Sequence, residues 1–417
     1  MKWSTVPLLG LLAANALSMT GNVAALVAIP WYVLQTTGSA SKTGLSAFFN
    51  FLPVALAGFL GGTVVDRFGF KSTSVVADLA SGLSIASIPL LHATIGLEYW
   101  QLLLLIFLGA LLDTPGTTAR AALIPEAAML AEVSLERATS LADAVNRFST
   151  MVGGPLAGLL IVVFGASNVL WVDAATFALS AFLIGACIPR GLNGDDSAEG
   201  QSSYLEDLSE GFSYLRRDHL VLSVLLVFTG SNFLDAAFFS VILPFFAQVE
   251  LESAVSLGLI VGASGAGALL GAIAYGWIGH ALSRRHLLAW GLALHSIGFL
   301  ALAPVPPIWV LVGTMFASGM GVGPLNPVVD TVFFERVPLE IRGRVLGMGV
   351  ATAWFAMPLG VLSGGFVVEW LGVTTTALVS GGLMLALALS FLRNSHLQQT
   401  SEEVVGRQAV AGAARIE

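Results

Sequence analysis

The stretch Gly61-Gly62-Thr63-Val64-Val65-Asp66-Arg67-Phe68-Gly69-Phe70-Lys71 joins two long apolar runs, at 44–65 and 72–93. Each run is long enough to cross a hydrocarbon core of about 30 Å, which takes about 20 apolar residues. Glycines allow the chain to reverse tightly and let helices approach closely. Asp66 is suited to accept hydrogen bonds from the N-terminus of a neighbouring helix. The stretch therefore predicts a charged turn between two membrane-spanning helices.

The composition extends this prediction to the whole chain. Of 417 residues, 56% are hydrophobic and 11% are charged, whereas charged residues make up about 25% of an ordinary soluble domain. Apolar runs between polar, Gly or Pro breaks predict an all-α integral membrane protein. We expect twelve spans, near 7–34, 44–65, 72–93, 99–120, 138–164, 167–188, 219–247, 256–280, 287–303, 308–334, 345–368 and 372–393.

Basic residues predict how the chain is oriented. If the N-terminus is cytoplasmic, Lys42 is the one residue among the 18 Lys and Arg that lies on the external side. Cytoplasmic loops carry an excess of Lys and Arg, so this asymmetry supports an even number of spans. We therefore expect a multi-pass protein of the inner (cytoplasmic) membrane, with both chain termini cytoplasmic.

Internal similarity predicts two six-helix halves, 1–188 and 219–393. Thr20-Gly21-Asn22 in the first span corresponds to Thr229-Gly230-Ser231-Asn232 in the seventh, which is typical of repeat-built transporters. The connection at 189–218 predicts a cytoplasmic linker whose later part forms an amphipathic helix on the membrane surface, or a solvated linker helix. We expect the tail, 394–417, to be cytoplasmic and disordered.

The quoted turn resembles the Gly-x-x-x-Asp-Arg-x-Gly-x-Lys loop motif of the major facilitator superfamily, aligned on Gly62. This resemblance implies twelve helices in two pseudo-symmetric six-helix halves. It also implies that the loop latches the two halves and biases the inward and outward states. The alternative is a charged turn that only sets topology. The latch residues would be Gly62, Asp66, Arg67, Gly69 and Lys71.

A second motif lies in the fifth span, where Gly154, Pro155 and Gly158 resemble the Gly-Pro-x-x-Gly motif of antiporters in this superfamily. A proline inside a helix removes a backbone hydrogen bond and kinks the helix. The kink either belongs to an antiport mechanism or serves packing alone.

The stretches 120–126 and 135–141 are similar to those of the drug:proton antiporter branch with macrolide, Tap-type multidrug and enterobactin exporters.

These resemblances imply a secondary transporter that exports small amphipathic compounds by proton antiport with alternating access, as in antibiotic resistance. The alternatives are an exporter of a siderophore or lipid, or a facilitator that is not coupled to protons. The sequence contains no nucleotide-binding loop of a pump and no nucleophile–base or metal cluster of an enzyme. A net charge of −8 argues against nucleic acid. We expect a monomer without cofactor or metal, whose partners are a small-molecule substrate, protons and membrane lipid.

Ionisable residues inside hydrocarbon are costly and indicate function. Asp235 lies in the middle of the seventh span and is our first candidate for proton coupling, or else a structural residue satisfied by a neighbour such as Asn232. An acidic residue is expected in the first span of Tap-type relatives, where this chain has Asn22. That departure leaves proton coupling open or places it on Asp235.

Further acidic residues lie toward the inner ends of helices. Helical spacing predicts local ion pairs of Asp113 with Arg120 and of Asp143 with Arg147, and Asp113 and Asp143 are the next candidates for proton coupling. Near the end of the tenth span, Asp330 and Glu335 are expected to pair with Arg336. Aromatic and polar residues suited to an amphipathic cargo are predicted to line the cavity, namely Asn15, Met19, Asn22, Asn232, Phe233, Phe238, Phe239 and Asn326.

Overall fold

A computed structural model describes residues 5–189, 213–279 and 282–393. Within these ranges, the side chains of residues 57–68, 278, 339–340, 343–344, 346 and 393 are outside the description. The side chains of Gly62, Asp66 and Arg67, most of the predicted linker and the tail at 394–417 therefore lie outside the described residues.

Helices account for nearly all of the described chain. They are α1 (Val6–Thr37), α2 (Ala40–Phe68), α3 (Phe70–Thr94), α4 (Tyr99–Ala122), α5 (Ile124–Leu130), α6 (Leu135–Phe164), α7 (Ala166–Cys187), α8 (His219–Val249), α9 (Ala254–Ile278), α10 (Arg284–Leu300), α11 (Ile308–Val322), α12 (Leu325–Arg336), α13 (Leu339–Leu371) and α14 (Val373–Arg393). The short helices α5 and α12 continue the spans that α4 and α11 begin.

The predicted set of twelve spans is confirmed. Ten helices in the described ranges are long and apolar enough to cross a membrane, and α2 and α10 complete the set.

Local sequence explains several boundaries. Ser134 caps α6 by accepting a hydrogen bond from the main-chain N of Arg137. Gly38 follows the end of α1 with a φ of 65°, and Gly69 precedes α3 with a φ of 76°. Positive φ values of this kind favour glycine.

Alternating helices place successive loops on two opposite faces of the bundle. We call them the Gly38 face, which carries the turns at Gly38, Gly165 and Gly372, and the Gly69 face. Contacts between distant loops agree with this alternation. On the Gly38 face, Tyr99 Oη donates a hydrogen bond to the carbonyl oxygen of Lys42 at 2.6 Å. The Gly38 face is the one we expect outside the cell.

The two six-helix halves use the same helix pairs. In the N-terminal half α1 packs on α6, α2 on α4, and α3 on both α4 and α7. In the C-terminal half the corresponding pairs are α8 with α13, α9 with α11, and α10 with both α11 and α14. This correspondence is the pseudo-symmetry that the repeated sequence patterns predict.

The outer surface of the bundle is apolar, as contact with lipid requires. Large hydrophobic side chains are exposed along most helices. Tryptophans stand out near helix ends, with Trp370 at 79% exposure on α13 and Trp277 at 77% on α9. Indole rings concentrate at membrane–water interfaces, so these positions mark the two edges of the hydrocarbon layer.

The halves meet along α6 and α9, where glycines allow backbone-to-backbone contact. A Cβ atom added at Gly258 would lie 2.4 Å from the carbonyl oxygen of Gly154, and one at Gly158 would lie 2.5 Å from that of Ala254. The ring of Pro155 packs on Gly262 in the same seam. Small residues drive helix association in membranes by permitting this approach. The Gly154–Gly158 motif therefore lies at the junction of the halves.

A second seam joins α2 and α13 near the Gly38 face. Gly44 and Gly365 face each other, and a Cβ at Gly44 would lie 3.0 Å from the Cα of Gly365. At the end of this seam the Glu369 carboxylate accepts hydrogen bonds from the main-chain N of Ser41 at 2.9 Å and from Ser39 Oγ at 3.2 Å. A carboxylate of one half thus caps the N-terminus of a helix in the other.

The described end of the predicted linker packs against the protein. A helical stretch covers 213–217, in which Leu215 is buried in the main core. Tyr214 Oη donates a hydrogen bond to the carbonyl oxygen of Arg336 at 2.7 Å. Of the predicted amphipathic helix, residues 204–212 lie outside the described part. The domain boundaries given above stay predictions.

The glycine seam predicts the effect of one added methyl group. Gly258→Ala should lower the apparent melting temperature of the purified protein, because the backbone of Gly154 cannot yield as a side chain would. Overpacking of this kind costs on the order of 1–3 kcal/mol. Gly313→Ala is the matched control, since a Cβ there meets nothing within 4 Å. Equal thermal stability of the two variants, measured by scanning fluorimetry, would contradict the close seam.

Candidate translocation cavity and charged sites

A cavity with a volume of about 280 Å³ lies between the two halves. Its walls come mainly from α1, α2, α4 and α7, and Ser240 of α8 and Trp354 of α13 complete them. Most of the lining is apolar, with a few amides and carboxylates, a composition typical of small-molecule sites. A second cavity of about 260 Å³, lined by Asn326 and Asp330 among others, shares Trp354.

A buried ion pair borders the larger cavity. Arg120 of α4 is paired with Asp78 of α3, whose other carboxylate oxygen accepts a hydrogen bond from Ser180 Oγ at 2.6 Å. Asp78 and Arg120 are 0% and 2% exposed. A charge buried this deeply requires a partner of opposite charge. This pair therefore ties α3, α4 and α7 together.

Asp113 joins the same network from the cavity side. Its Oδ1 lies 3.4 Å from Arg120 Nη2, which confirms the predicted pair, although Asp78 is the closer partner of Arg120. Its Oδ2 accepts a hydrogen bond from Asn22 Nδ2 at 3.1 Å. Asn22 and Asp113 both line the cavity. Asn22 stands where an acidic residue is expected in Tap-type relatives. Its amide thus donates a hydrogen bond to the carboxylate of Asp113 on α4.

Asp173 of α7 is the second carboxylate on the cavity wall. It is 1% exposed, and neither of its carboxylate oxygens has a hydrogen-bond partner among the described residues. No role was assigned to Asp173 from the sequence.

Asp235 is bound by a histidine from another helix, not by Asn232. His295 Nε2 of α10 lies 2.6 Å from Asp235 Oδ1, and His295 Nδ1 lies 2.7 Å from Ser318 Oγ of α11. His295 is 2% exposed, whereas 26% of the Asp235 side chain is exposed. The result is a chain of three polar side chains that runs from an accessible carboxylate into the core.

The backbone of α8 changes form just after Asp235. Residues Phe238–Ile242 adopt a π-helix, a local widening that is frequent at functional sites. Phe238 is buried against Phe299, with ring centroids 4.1 Å apart. The ring of His295 also packs on Phe299. Aromatic packing therefore holds the imidazole in place beside the carboxylate.

Only some of the residues predicted to line the cavity do so in the structure. Met19 and Asn22 line the larger cavity and Asn326 the second one. Asn15 instead donates a hydrogen bond to Asn146 at 3.4 Å. The remaining candidates line neither of these two cavities: Phe238 is buried in the core, Phe233 and Phe239 are partly buried beside it, and Asn232 lies on the same helix.

The turn between α2 and α3 is described only at its end. Gly69 has the positive φ noted above. Lys71 Nζ donates hydrogen bonds to the carbonyl oxygens of Gly185, at 2.8 Å, and of Ile188. These carbonyls lie at the C-terminus of α7, where a cation is favoured by the helix dipole. Lys71 therefore binds a helix end, while the latch role of the whole motif stays a prediction.

Two predicted contacts on or near the Gly69 face are wrong in their partners. Arg147 Nη1 donates to the carbonyl oxygen of Ala268 at 3.4 Å and forms no described ion pair with Asp143. Glu335 pairs with Arg284, at 2.6 Å between Oε1 and Nη2, and not with Arg336. The loop that precedes Arg284 contains no acidic residue. The acidic partner of Arg284 therefore comes from α12. Spacing along one helix did not reveal these contacts because the partners come from other helices.

Sequence reasoning missed Asp78, His295 and Trp354 as parts of these sites. Asp78 lies in an apolar span, and the cost of a buried charge is the signal that could have identified it. His295 lies 60 residues from Asp235, so no sequence pattern connected the two. Trp354 carried no signal in the sequence, since its position between two cavities depends on how α13 packs.

Comparison with known proteins agrees with this fold. The sequence profile described as Major Facilitator Superfamily matches residues 11–251 and 225–411. The multidrug efflux pump Tap of Mycolicibacterium fortuitum is 30% identical over 386 residues, 92% of this chain and 94% of that protein. Macrolide efflux protein A of Streptococcus pyogenes is 23% identical, over 90% of this chain and 93% of that protein. The crystal structure of the nucleoside transporter NupG shares the fold, with a TM-score of 0.74, 15% identity and coverage of 94% and 99%.

The buried ion pair predicts coupled effects on stability. Arg120→Gln should destabilise the protein strongly, because the charge of Asp78 is left buried and unpaired, and such losses cost about 3–5 kcal/mol. Adding Asp78→Asn should restore part of the lost stability. Apparent melting temperatures of the two single variants and the double variant check this expectation. Strictly additive effects would show that the two side chains do not act as a pair.

Proposed function

We propose, from the premise that this chain belongs to the Major Facilitator Superfamily, that it exports small amphipathic compounds by proton antiport with alternating access. Members of this superfamily are transporters and not enzymes. The observation that carries the proposal is similarity over nearly the full length to a protein named a multidrug efflux pump. The macrolide efflux protein, also similar over most of its length, supports the same assignment.

The cavity supports an amphipathic cargo. Phe51, Phe177 and Trp354 supply aromatic surface, and Asn22 and Asn50 supply hydrogen-bonding groups. A wall of this kind contributes apolar contact to many molecules and only a few directional contacts. Broad selectivity follows from the small number of polar groups that a cargo must satisfy.

The two seams support alternating access. Both bring backbones together in the part of the bundle nearer the Gly38 face, at Gly158 against Ala254 and at Gly44 against Gly365. Glycine seams lack interlocking side chains, so two rigid halves can rock about them. Contact of Glu369 with the end of α2 would then hold the Gly38 face closed and release as that face opens.

Proton coupling is assigned to Asp235 together with His295. The single hydroxyl proton of Ser318 has two acceptors, the His295 main-chain oxygen at 3.1 Å and Nδ1 at 2.7 Å. If it goes to Nδ1, the imidazole is neutral and its Nε2–H binds Asp235. If it goes to the carbonyl, Nδ1 carries a proton as well and the ring is cationic. The same atomic positions therefore accept one additional proton, as a carrier requires.

The driving force is sufficient for accumulation. A membrane potential of 100 mV contributes about 2.3 kcal/mol for each charge moved, which corresponds to a concentration ratio of roughly fifty. The alternative is a facilitator that is not coupled to protons, and the amide at Asn22 favours it. In that case both a collapsed proton gradient and loss of Asp235 would leave transport unchanged.

The deciding experiment compares cells with and without the expressed protein in a susceptibility and accumulation screen of amphipathic antibiotics and dyes. The wild type should lower accumulation of at least one compound, and a protonophore should abolish the effect. Asp235→Asn keeps the shape of the side chain but cannot titrate, so it should abolish efflux against a gradient and retain exchange down one. His295→Gln should weaken coupling in the same assay.

Membrane level of each variant is measured alongside transport as the control for expression. Wild-type efflux by Asp235→Asn at every external pH from about 6 to about 8 would place coupling elsewhere, with Asp113 and Asp143 next to be tested. Efflux that survives the protonophore would favour the facilitator.

Location and orientation are part of the proposal. We propose that the protein lies in the cytoplasmic membrane with both termini and the Gly69 face inside, since Lys42 is the one Lys or Arg that the predicted topology leaves on the external side. Reporter fusions at Gly194 and after Glu417 should read cytoplasmic, and one at Thr37 external. Opposite readings at Gly194 and the C-terminus would contradict an even number of spans.

A further inference from the structure

The widened turn of α8 lies between the pair proposed for proton coupling and the larger cavity. Asp235 comes one turn before the π-helix at Phe238–Ile242, and Ser240, in the middle of that π-helix, lines the cavity. Ser240 is the one residue of α8 among the described residues of this lining. A change in the form of the π-helix therefore affects the proton site and the cavity wall together.

A proline accounts for the widened turn. Pro244 has no N–H, so the bond that an α-helix would form to the carbonyl oxygen of Ser240 is missing. The main-chain N of Leu243 donates instead to the carbonyl oxygen of Phe238, one residue farther back than in an α-helix. At the start of the turn, the main-chain N of Phe238 donates to the carbonyl oxygens of Asp235 and of the residue before it. The spacing of the hydrogen bonds therefore changes between Asp235 and Ser240.

Four side chains form a closed ring between α8 and α10 at this turn. Asp235 is bound by His295, as described above. The imidazole packs on Phe299 with ring centroids 5.4 Å apart, and Phe299 packs on Phe238 at 4.1 Å. Phe238 and Phe299 are 1% and 0% exposed, so neither ring can move without displacing its neighbours. A shift of the imidazole is therefore passed to the first residue of the π-helix.

We propose that Phe299 is a positioning residue that links the proton site to the cargo cavity. When Asp235 binds a proton, its bond to His295 loses the contribution of the negative charge, and charge-assisted bonds are about twice as strong as neutral ones. The ring that holds Phe238 then loosens, and the π-helix exposes Ser240 more fully to the cavity. The proposal rests on proton coupling at Asp235, which belongs to the proposed function, and names the residues through which that coupling acts.

The surroundings of α8 leave Asp235 to this one partner. The titratable group that faces Asp235 is His295, and Ser318 of α11 is the other polar partner of the imidazole. Helices α12, α13 and α14 also pack on α8, and none of their described side chains forms an ion pair with Asp235. The π-helix itself also touches α1 and α2 of the N-terminal half. A change at this turn therefore acts at the junction of the halves as well as on the cavity wall.

Thiol labelling at the cavity wall tests this link without requiring transport. Cys187 is the single cysteine of the chain, so in a Cys187→Ala background Ser240→Cys supplies the one reactive thiol. Ser240 is 5% exposed, and a thiol at this position should react slowly with N-ethylmaleimide in purified protein held in lipid nanodiscs. At one fixed pH, Asp235→Asn should raise the rate about tenfold, the change expected when a hydrogen bond loses its charged partner.

Asn50→Cys is the control for rigid-body movement, because Asn50 lines the same cavity from α2 in the N-terminal half. The labelling rate at this position should be nearly the same with and without Asp235→Asn. An equal rise at positions 50 and 240 would show that the whole cavity opens, which contradicts a local link through the π-helix. An unchanged rate at position 240 would overturn the link as well.

Phe299→Leu tests the ring of side chains directly. In this variant Asp235→Asn should no longer raise the labelling rate at position 240, because the imidazole has lost its contact with the π-helix. Phe238→Leu should give the same result and replaces Phe299→Leu if that variant does not fold. Phe246→Leu is the matched control, since Phe246 is an equally buried residue of α8 outside the ring, and it should keep the full rise. Persistence of the rise in both ring variants, or its loss in Phe246→Leu, would contradict the role of Phe299.

Transport separates failure of this link from failure of the proposed function. If efflux is proton-driven and needs Asp235, while labelling at position 240 is unaffected by Asp235→Asn, the exporter stands and the link is wrong. Phe299→Leu should retain exchange down a gradient and lose efflux against one, and wild-type efflux against a gradient would contradict the link. If the wild type expels no compound, the proposed function is wrong, and the labelling rates still decide whether Asp235 acts on the cavity wall.

Discussion

The cost of an ionised side chain inside hydrocarbon is the constraint on which the other features of this protein depend. In lipid no water compensates a buried charge, so each must find a partner inside the bundle. Arg120 meets this requirement for Asp78 and Asp113, and its pair with Asp78 links α4 to α3. Asp235 has a different kind of partner, the imidazole of His295, whose Nε2 lies 2.6 Å from its Oδ1.

Packing between the halves follows from the same solvent. Lipid is as apolar as leucine, so there is no hydrophobic gain in pressing leucines of two helices together. Close backbone contact supplies dispersion energy instead, and only glycine permits it at Gly154 against Gly258. Such a seam is flat and lacks interlocked side chains.

Prediction of individual sites succeeded where the partner lay on the same helix and failed where it did not. The pair of Asp113 with Arg120 follows from a separation of two helical turns, and it is present at 3.4 Å. Asp78 and Glu335 lie 42 and 51 residues from their basic partners, distances at which a sequence pattern carries no geometric information. His295 shows the same limit, because 60 residues separate it from Asp235.

By itself, the sequence determined the membrane location, the twelve spans and the two pseudo-symmetric halves, because hydropathy and the repetition of short motifs act over neighbouring residues. It also determined that Asp235 stands in the middle of a span, where a charge demands an explanation. Only the tertiary structure decided which partner each buried charge has, which predicted residues reach a cavity, and that Gly154 and Gly158 lie between the halves. These outcomes depend on how helices rotate and cross in the bundle, and that geometry arises from the packing of all twelve spans together.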